Sequence, residues 1–333
     1  MAKILVTGGS GFIGSNFIHY WQTRHPQDEI INLDILTYAA SGDAAVNGSR
    51  SKTRFIKGDI SSPAIVRRAI AGVKTVVHFA AETHVDRSIL NSQIFLKTNV
   101  LGTHTLLEAA RQNGISKFIY ISTDEVYGSI EKGSFTEHSP LRPNSPYAAS
   151  KASGDLICRS YWVTHRLPVM VTRCCNNYGP CQFPEKVIPL FITNLLEGKS
   201  VPLYGDGLNV REWIHAVDHA RAIERVMEAG EPGEIYNIGT GREISNLELV
   251  RKILKAVGKD EGSIERVKDR PGHDFRYSLD SSKLKKLGWK PEIEFEKGLS
   301  DTLEWYRANP SWWKKIKEKG AFKTYLKKQY SKP

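Results

Sequence analysis

The sequence predicts an α/β fold built on a doubly wound parallel sheet, with a smaller, partly discontinuous α/β substrate domain beside it. Three observations carry this. Short β-branched runs alternate with helix-length segments, a glycine-rich turn joins the first run to the first helical segment, and after Arg173 the alternation weakens while turn residues multiply. A chain of 333 residues exceeds the usual ~100 to 200 per domain, so one large and one smaller region sharing a sizeable core are expected.

The strand-like runs are Ile4 to Thr7, Ile30 to Asp34, Phe55 to Asp59, Val76 to Ala80, Phe118 to Ser122 and Val169 to Arg173. Segments long enough for crossover helices separate most of them, the longest being Asn91 to Asn113 and Tyr147 to His165. That is the pattern of a parallel sheet covered on both faces. Turn residues cluster at Asn176-Asn-Tyr-Gly-Pro180 and Gly205-Asp-Gly207, where the substrate side begins, while Ile235 to Ile238 is strand-like enough to rejoin the sheet. Helix signals return at Asn246 to Val257 and Phe295 to Ala308. The expected division is 1–173 with about 210–238 as a dinucleotide-binding domain, and about 174–209 with 239–333 as a substrate domain.

With 40% hydrophobic and 25% charged residues the make-up is that of an ordinary globular chain, and no apolar run approaches the ~20 residues of a membrane span. Met1-Ala2-Lys3 leads straight into a strand without a signal peptide's apolar region. Cys158, Cys174, Cys175 and Cys181 form no CxxC pair and no ligand spacing with histidine, so no metal site is expected. A reducing cytoplasm with buried thiols follows, a redox role for Cys175 and Cys181 being the alternative. The net charge of +11 is uneven, because Trp313 to Pro333 holds eight lysines against Glu318 alone. Such a tail suits nucleic acid or an anionic surface. Phe322, Tyr325, Leu326, Gln329 and Tyr330 keep helical spacing, however, which favours an amphipathic segment docked on the body with its lysines in water. Neither nucleic acid nor a membrane is therefore expected as a partner.

Gly8-Gly-Ser-Gly11-Phe12-Ile13-Gly14 follows a strand and opens a helix. Glycine permits the tight turn and lets backbone approach a pyrophosphate, while the helix N-terminus supplies amide donors, the arrangement of a Rossmann-type dinucleotide site. Asp34 ends the next strand 20 residues after Gly14, where a ribose-binding acid belongs. A carboxylate there accepts from the adenosine ribose hydroxyls and repels a 2′-phosphate, which favours NAD over NADP. Asp59, with Ile60 after it, either reaches the adenine or caps a turn. Ala80 and Ala81 end the fourth strand with small side chains past which a flat cofactor can run.

Tyr147 and Lys151 are four apart at a helix start, so both lie on one face. A free phenol with a pKa of roughly 10 is a poor base near neutrality. A nearby ammonium favours the phenolate, so that Tyr147 can take a hydroxyl proton while hydride leaves the same carbon. Upstream, Thr123-Asp124-Glu125 adds two carboxylates at a strand end, where open α/β sheets bind ligands. A simple hydride transfer has no use for them.

These residues resemble the extended short-chain dehydrogenase/reductase family, and within it the dTDP-glucose 4,6-dehydratases. The strings that carry the likeness are Gly8 to Gly14, Leu36-Thr37-Tyr-Ala39, Ala80 to Ser88, Ser122 to Gly128, Ser145 to Lys151, Asn176 to Pro180, Phe183 to Lys186 and Arg270-Pro-Gly-His-Asp274. The resemblance implies oxidation of a hexose at carbon 4, elimination of water across carbons 5 and 6, and return of the hydride to carbon 6. It makes Glu125 the base at carbon 5, Asp124 the acid at carbon 6, Thr123 a partner of the 4-hydroxyl and Tyr147 the base for oxidation, with Lys151 beside it. Asp124 must act protonated, so burial beside Glu125 should raise its carboxyl.

The same resemblance puts Gly8, Gly11, Phe12, Ile13, Gly14, Asp34, Leu36, Thr37, Asp59, Ile60, Ala80, Ala81, Tyr147, Lys151 and Asn176 around NAD. On the substrate side it puts His84, Thr123, Asn176, Lys186, Val187, Pro202, Tyr204, Asn246 and His273, with Arg211 and Arg270 as fork-shaped cations for a diphosphate. Tyr204 either stacks on the base or packs in the core, and His84 is either a contact or a structural histidine. The substrate is a sugar nucleotide, dTDP-glucose or UDP-glucose, and a homodimer through the two long helical segments is implied. The chain departs from the family pattern at Ala40-Ser-Gly-Asp43, where a Gly-Asn pair is usual, and at Thr83, Cys175 and Cys181. The competing readings are a sugar-nucleotide 4-epimerase or decarboxylase, which needs only Tyr147 and Lys151, and a dinucleotide-sensing or nucleic-acid-binding protein that recruited the basic tail.

Overall fold

The structure, a computed structural model, describes residues 1–40 and 52–330. The chain opens with β1 (Lys3–Thr7), α1 (Phe12–Arg24), β2 (Glu29–Asp34), β3 (Thr53–Lys57), α2 (Pro63–Ile70) and β4 (Thr75–His78). A helical run follows: α3 (Val85–Leu90), α4 (Gln93–Phe95), a π-helical stretch over Leu96–Gly102, and α5 (Thr103–Gln112). Next come β5 (Lys117–Thr123), a 3-10 turn over Asp124–Tyr127, α6 (Pro146–His165), β6 (Val169–Cys174), β7 (Asn176–Tyr178), α7 (Val187–Leu196), β8 (Val201–Tyr204), β9 (Val210–His215), α8 (Ala216–Ala229) and β10 (Ile235–Ile238). The chain continues through β11 (Glu243–Ser245), α9 (Asn246–Val257), β12 (Ile264–Val267), α10 (Ser282–Lys286), α11 (Phe295–Ala308), α12 (Pro310–Glu318) and α13 (Gly320–Tyr330).

Seven parallel strands form the main sheet in the order β10-β6-β5-β4-β1-β2-β3. The order reverses between β1 and β4, the point at which such sheets open a crevice beyond their carboxyl ends. Both faces are covered, which is why the strands read as continuous apolar runs. Phe17, Ile18 and Trp21 of α1 pack with Ile223 and Val226 of α8 on one face. Val66 of α2, Leu106 and Leu107 of α5, and Cys158 and Tyr161 of α6 cover the other. The doubly wound sheet and the return of Ile235–Ile238 to it match expectation.

Several boundaries differ, for local reasons. β3 and β4 stop at Lys57 and His78, so Asp59 and Ala80 lie in loops beyond the strand ends. The Asp59 carboxylate accepts from the Ser61 N–H at 2.8 Å, closing a turn that ends the ladder. The helical segment expected over Asn91 to Asn113 carries a π stretch, in which buried Asn99 donates to Glu82 O at 3.0 Å and to Ser150 Oγ at 2.8 Å. The smaller region has a three-stranded sheet, β11-β9-β7, and a two-stranded one, β12-β8. Residues 210–215 therefore lie in the small sheet, while Ile214 among them packs into the large-layer core. Leu279, Leu284 and Trp289 also join the large-layer core.

The lysine-rich tail forms α12 and α13 against the body, with Trp313, Phe322 and Tyr325 buried. The family departure at Ala40–Asp43 lies, beyond Ala40, outside the described residues. No helix among the described residues is long and apolar enough to cross a membrane.

Candidate active site

The glycine turn is held by its own backbone. Gly8 has φ +72, and a Cβ there would stand 2.5 Å from Ala80 N, so the turn packs on the loop after β4 with no room for a side chain. A Cβ at Gly14 would meet Gly8 O at 2.3 Å, which keeps the start of α1 close to the turn. Phe12 and Ile13 are the first residues of α1, with Gly11 at its N-cap. Asp34 is buried and accepts from Ser10 N–H at 3.0 Å and Leu36 N–H at 2.7 Å. Burial raises its carboxyl, against those two bonds. Leu36 takes φ +59, and Thr37 and Tyr38 follow on the same loop. The cradle that a side chain would fill, and a carboxylate fixed beside it, fit a dinucleotide. Asp59 pairs with Lys97 at 3.0 Å and binds Ser61; burial works to raise it and is outweighed by those bonds, so the carboxylate is committed to its turn. Ile60 is buried behind it.

The catalytic candidates gather where β5 ends. Thr123 caps the 3-10 turn, accepting from Glu125 N–H at 3.3 Å, and its hydroxyl donates to Asp124 Oδ1 at 3.0 Å. Asp124 is buried, and its Oδ2 has no partner among the described residues. Burial first, then the Glu125 charge, push this carboxyl well above its usual range, the direction a proton donor requires. Burial also raises Glu125, and Arg270, Lys186 and Arg211 offset only part of that rise.

Ser145 caps α6 through its hydroxyl, and the Tyr147 N–H donates to Ser88 Oγ at 3.1 Å, which fixes the helix start against the loop beyond β4. Lys151 Nζ donates to Ile121 O at 2.7 Å and sits 4.2 Å from the Tyr120 ring centroid, and burial lowers it to about 8. Burial, then the Glu125 and Asp124 charges, raise the Tyr147 phenol well above its ordinary value, and the Thr123 hydroxyl acts the other way.

Beside this corner lies an open cleft. His84, Glu125, Asn176, Lys186, Val187, Pro202, Tyr204, Arg211, Asn246, Arg270 and His273 line it. Every substrate-side candidate but Thr123 is on its wall. Asn176 Oδ1 and Arg270 Nε are buried there without partners among the described residues, as groups awaiting a ligand would be. Arg270 spends one N–H on Asp86 Oδ1 at 2.9 Å. Arg211 is more committed, donating to Val210 O at 2.7 Å and Asp274 O at 2.8 Å. His84 is buried, and burial with three nearby cations keeps it neutral, well below its ordinary value.

Asp86, Glu185 and Tyr330 also line the cleft and were not singled out in the sequence. Asp86 sits inside the Ala80 to Ser88 string without an assigned role. Tyr330 belonged to the helical spacing of the tail, which says that one face docks but not onto what. Cys158, Cys174 and Cys175 are buried free thiols.

A family model described as GDP-mannose 4,6 dehydratase matches residues 5–302. Over 323 residues the chain is 53% identical to a dTDP-glucose 4,6-dehydratase of Streptomyces griseus, covering 96% of this chain and 98% of that one. DesIV, a dTDP-glucose 4,6-dehydratase from Streptomyces venezuelae solved with NAD and TYD bound, superposes with a TM-score of 0.92 at 52% identity, covering 94% and 99%. A UDP-glucose 4-epimerase of Thermus thermophilus, solved with NAD, gives 0.86 at 32%, covering 92% and 99%. The likeness spans both chains and is stronger toward the dehydratase.

Proposed function

Because the chain belongs to the GDP-mannose 4,6 dehydratase family, and its near relatives there are dTDP-glucose 4,6-dehydratases, we propose that it converts dTDP-glucose to dTDP-4-keto-6-deoxyglucose and water. It is an NAD-dependent hydro-lyase on a Rossmann-type sheet. The observation that carries this reading is the pair of carboxylates, Asp124 and Glu125, set in the 3-10 turn where β5 ends, near enough for both charges to act on the Tyr147 phenol.

When bound, NAD supplies the place where the carbon 4 hydride waits and from which it returns to carbon 6. Gly8, Gly11 and Gly14 make room for its pyrophosphate, and Asp34 offers its remaining lone pairs to the adenosine ribose. Tyr147 takes the proton of the 4-hydroxyl, which Thr123 also contacts. Glu125 then removes the hydrogen at carbon 5, acidified by the new ketone. Asp124, held protonated by its burial, gives its proton to the oxygen leaving carbon 6. As the hydride returns to carbon 6, Glu125 gives a proton back to carbon 5, and the proton that Tyr147 gained replaces the one that Asp124 gave, so electrons and protons both balance without an outside oxidant. Arg270 and Arg211 face the diphosphate, with Lys186 and Asn176 toward the sugar.

A 4-epimerase or decarboxylase acting on a UDP-sugar would use Tyr147 and Lys151 and leave Asp124 and Glu125 without a task. The deciding experiment is turnover of dTDP-glucose or UDP-glucose in deuterated water. One deuterium at carbon 5 of a 4-keto-6-deoxy product is expected; a galactose epimer formed without loss of water would overturn the dehydratase reading.

The smaller region, with α7, β8, β9, α9 and the loop bearing Arg270, is proposed to hold the nucleotide, and the large layer NAD. A homodimer is supported by apolar side chains left in the open on the two long helical segments: Leu96 is 54% exposed, Leu101 51% and Leu156 59%. A face of this kind asks for a partner. A cytoplasmic setting is supported by Cys158, Cys174 and Cys175, buried as free thiols. The tail needs no nucleic acid or membrane to explain it, because its aromatic face is spent on the body of the molecule.

A further inference from the structure

Arg87, on α3, takes no part in the chemistry above, yet it stands between the two sites. Its guanidinium lies 3.9 Å from the ring centroid of Tyr38 and 4.3 Å from that of Tyr325, so both rings rest against it. Two of its nitrogens grip Glu185 Oε2, at 3.0 and 2.7 Å, and Tyr38 OH reaches Glu185 Oε1 at 3.1 Å. Glu185 is almost wholly buried. Tyr38 belongs to the loop that follows Asp34, on the cofactor side. Tyr325 belongs to α13.

The helix α13 reaches both ways. Near its start Phe322 packs on Phe183, whose ring meets that of Tyr38, with Ala39 in the same cluster. At its middle the Tyr325 hydroxyl lies 3.4 Å from both His84 Nε2 and Asp86 Oδ2. At its end Gln329 Nε2 donates to Tyr204 OH at 2.6 Å, and Tyr330 forms part of the cleft wall. A ligand in the cleft therefore meets a wall that includes α13, and α13 in turn clamps the ring stack on the cofactor loop.

We propose that α13 and Arg87 form a latch coupling the two sites, so that a nucleotide in the cleft slows the loss of NAD. The proposal rests on the reading that the cleft takes a nucleoside diphosphate sugar and the glycine turn takes NAD. Coupling is reciprocal: whatever the nucleotide does for α13, and α13 for the Tyr38 loop, NAD must do in return for the nucleotide. Arg87, Tyr38 and Tyr325 are positioning residues here, since they touch neither reacting carbon nor acid. The latch suits a reaction in which the cofactor must stay in place while it holds borrowed electrons.

The test is the rate at which NAD leaves the holoenzyme, measured by rapid exchange against labelled NAD with and without saturating dTDP. In the parent, dTDP should slow release by at least about fivefold, the lower end of ordinary coupling. Tyr325→Leu, Arg87→Met and removal of residues 320–333 should each speed release and bring the dTDP effect close to unity. Tyr325→Phe, which keeps the ring, should retain most of it, and Lys327→Ala, on an exposed position, all of it. If Tyr325→Leu folds, binds dTDP and shows the parent's release rate and dTDP effect, the latch is wrong. A protein that binds neither NAD nor dTDP would instead overturn the functional reading beneath it.

Discussion

Replacing Glu125 by glutamine separates oxidation from elimination. The two side chains have the same shape, so the cleft wall and the 3-10 turn keep their packing while the base at carbon 5 is lost. Removing a positioned general base slows its step by about 10² to 10⁴, or roughly 2.7 to 5.4 kcal/mol on the barrier. Oxidation at carbon 4 uses Tyr147 and should survive. It should even become easier, because the Glu125 charge is the first of those that raise the phenol. On mixing Glu125→Gln holoenzyme with dTDP-glucose, the near-ultraviolet band of reduced nicotinamide should rise toward one equivalent per site and persist, while 4-keto-6-deoxy product forms at least about a hundredfold more slowly. The acid limb of the oxidation rate should also move to lower pH. Product formation within tenfold of the parent, or bound substrate with no reduced nicotinamide, would refute the assignment of Glu125.

Lys151, lowered to about 8 by burial, keeps the ammonium proposed to favour the Tyr147 phenolate below that pH and loses it above, so the oxidation rate should fall as pH rises through about 8. Lys151→Arg, which stays charged, should abolish that limb in a pH–rate profile. Asp34→Ala strands the Ser10 and Leu36 amides and removes the ribose acceptor. A loss of about 1.5 to 3 kcal/mol, or ten- to about 150-fold in NAD affinity, is expected on titrating the apoenzyme. Leu101→Glu with Leu156→Glu should yield a monomer by light scattering with an unchanged melting profile; a parent that is already monomeric at micromolar concentration would sink the dimer.

The parallel sheet was legible because strands covered on both faces must be apolar throughout, as Leu5-Val6, Ile30-Ile31 and Val76-Val77 are. Asn246–Val257 and Phe295–Ala308 were legible to the residue, since Ser245 caps the first through its hydroxyl and a left-handed Gly258 ends it. What escaped were features set by distant partners. Nothing local marks the π stretch at Leu96–Gly102, which exists so that Asn99 can reach Glu82 and Ser150. The strand ends near Asp59 and Ala80 were misplaced by two residues because the turn chemistry there belongs to side chains, not to the apolar pattern. In the site, the glycine turn, Asp34 and the Tyr147 and Lys151 pair were read from spacing and the other candidates from family resemblance, whereas Asp86, Arg87 and Glu185 take their meaning from contacts across 98 and 184 positions of sequence. The direction in which Lys151 points is a matter of which acceptor it finds, and the sequence does not specify that.

The burial that suits Asp124 as an acid is unhelpful to Tyr147 as a base, and the site resolves this through the order in which its groups ionise. Asp124 is raised well above its usual range and so stays neutral, which removes one of the two charges facing the phenol. Glu125 is raised by burial too, with Arg270, Lys186 and Arg211 opposing that rise. Of the charges that raise Tyr147 the Glu125 carboxylate comes first, and the Thr123 hydroxyl partly offsets it. Asp124→Asn should therefore leave oxidation at carbon 4 and its pH dependence nearly as in the parent, since a neutral group replaces a neutral group, while elimination slows by about 10² to 10⁴ for want of the proton. Were Asp124 ionised instead, the same substitution would remove a charge beside the phenol and shift the acid limb of oxidation to lower pH. Single-turnover oxidation rates of Asp124→Asn across pH distinguish the two cases, and a clear downward shift would refute a protonated Asp124.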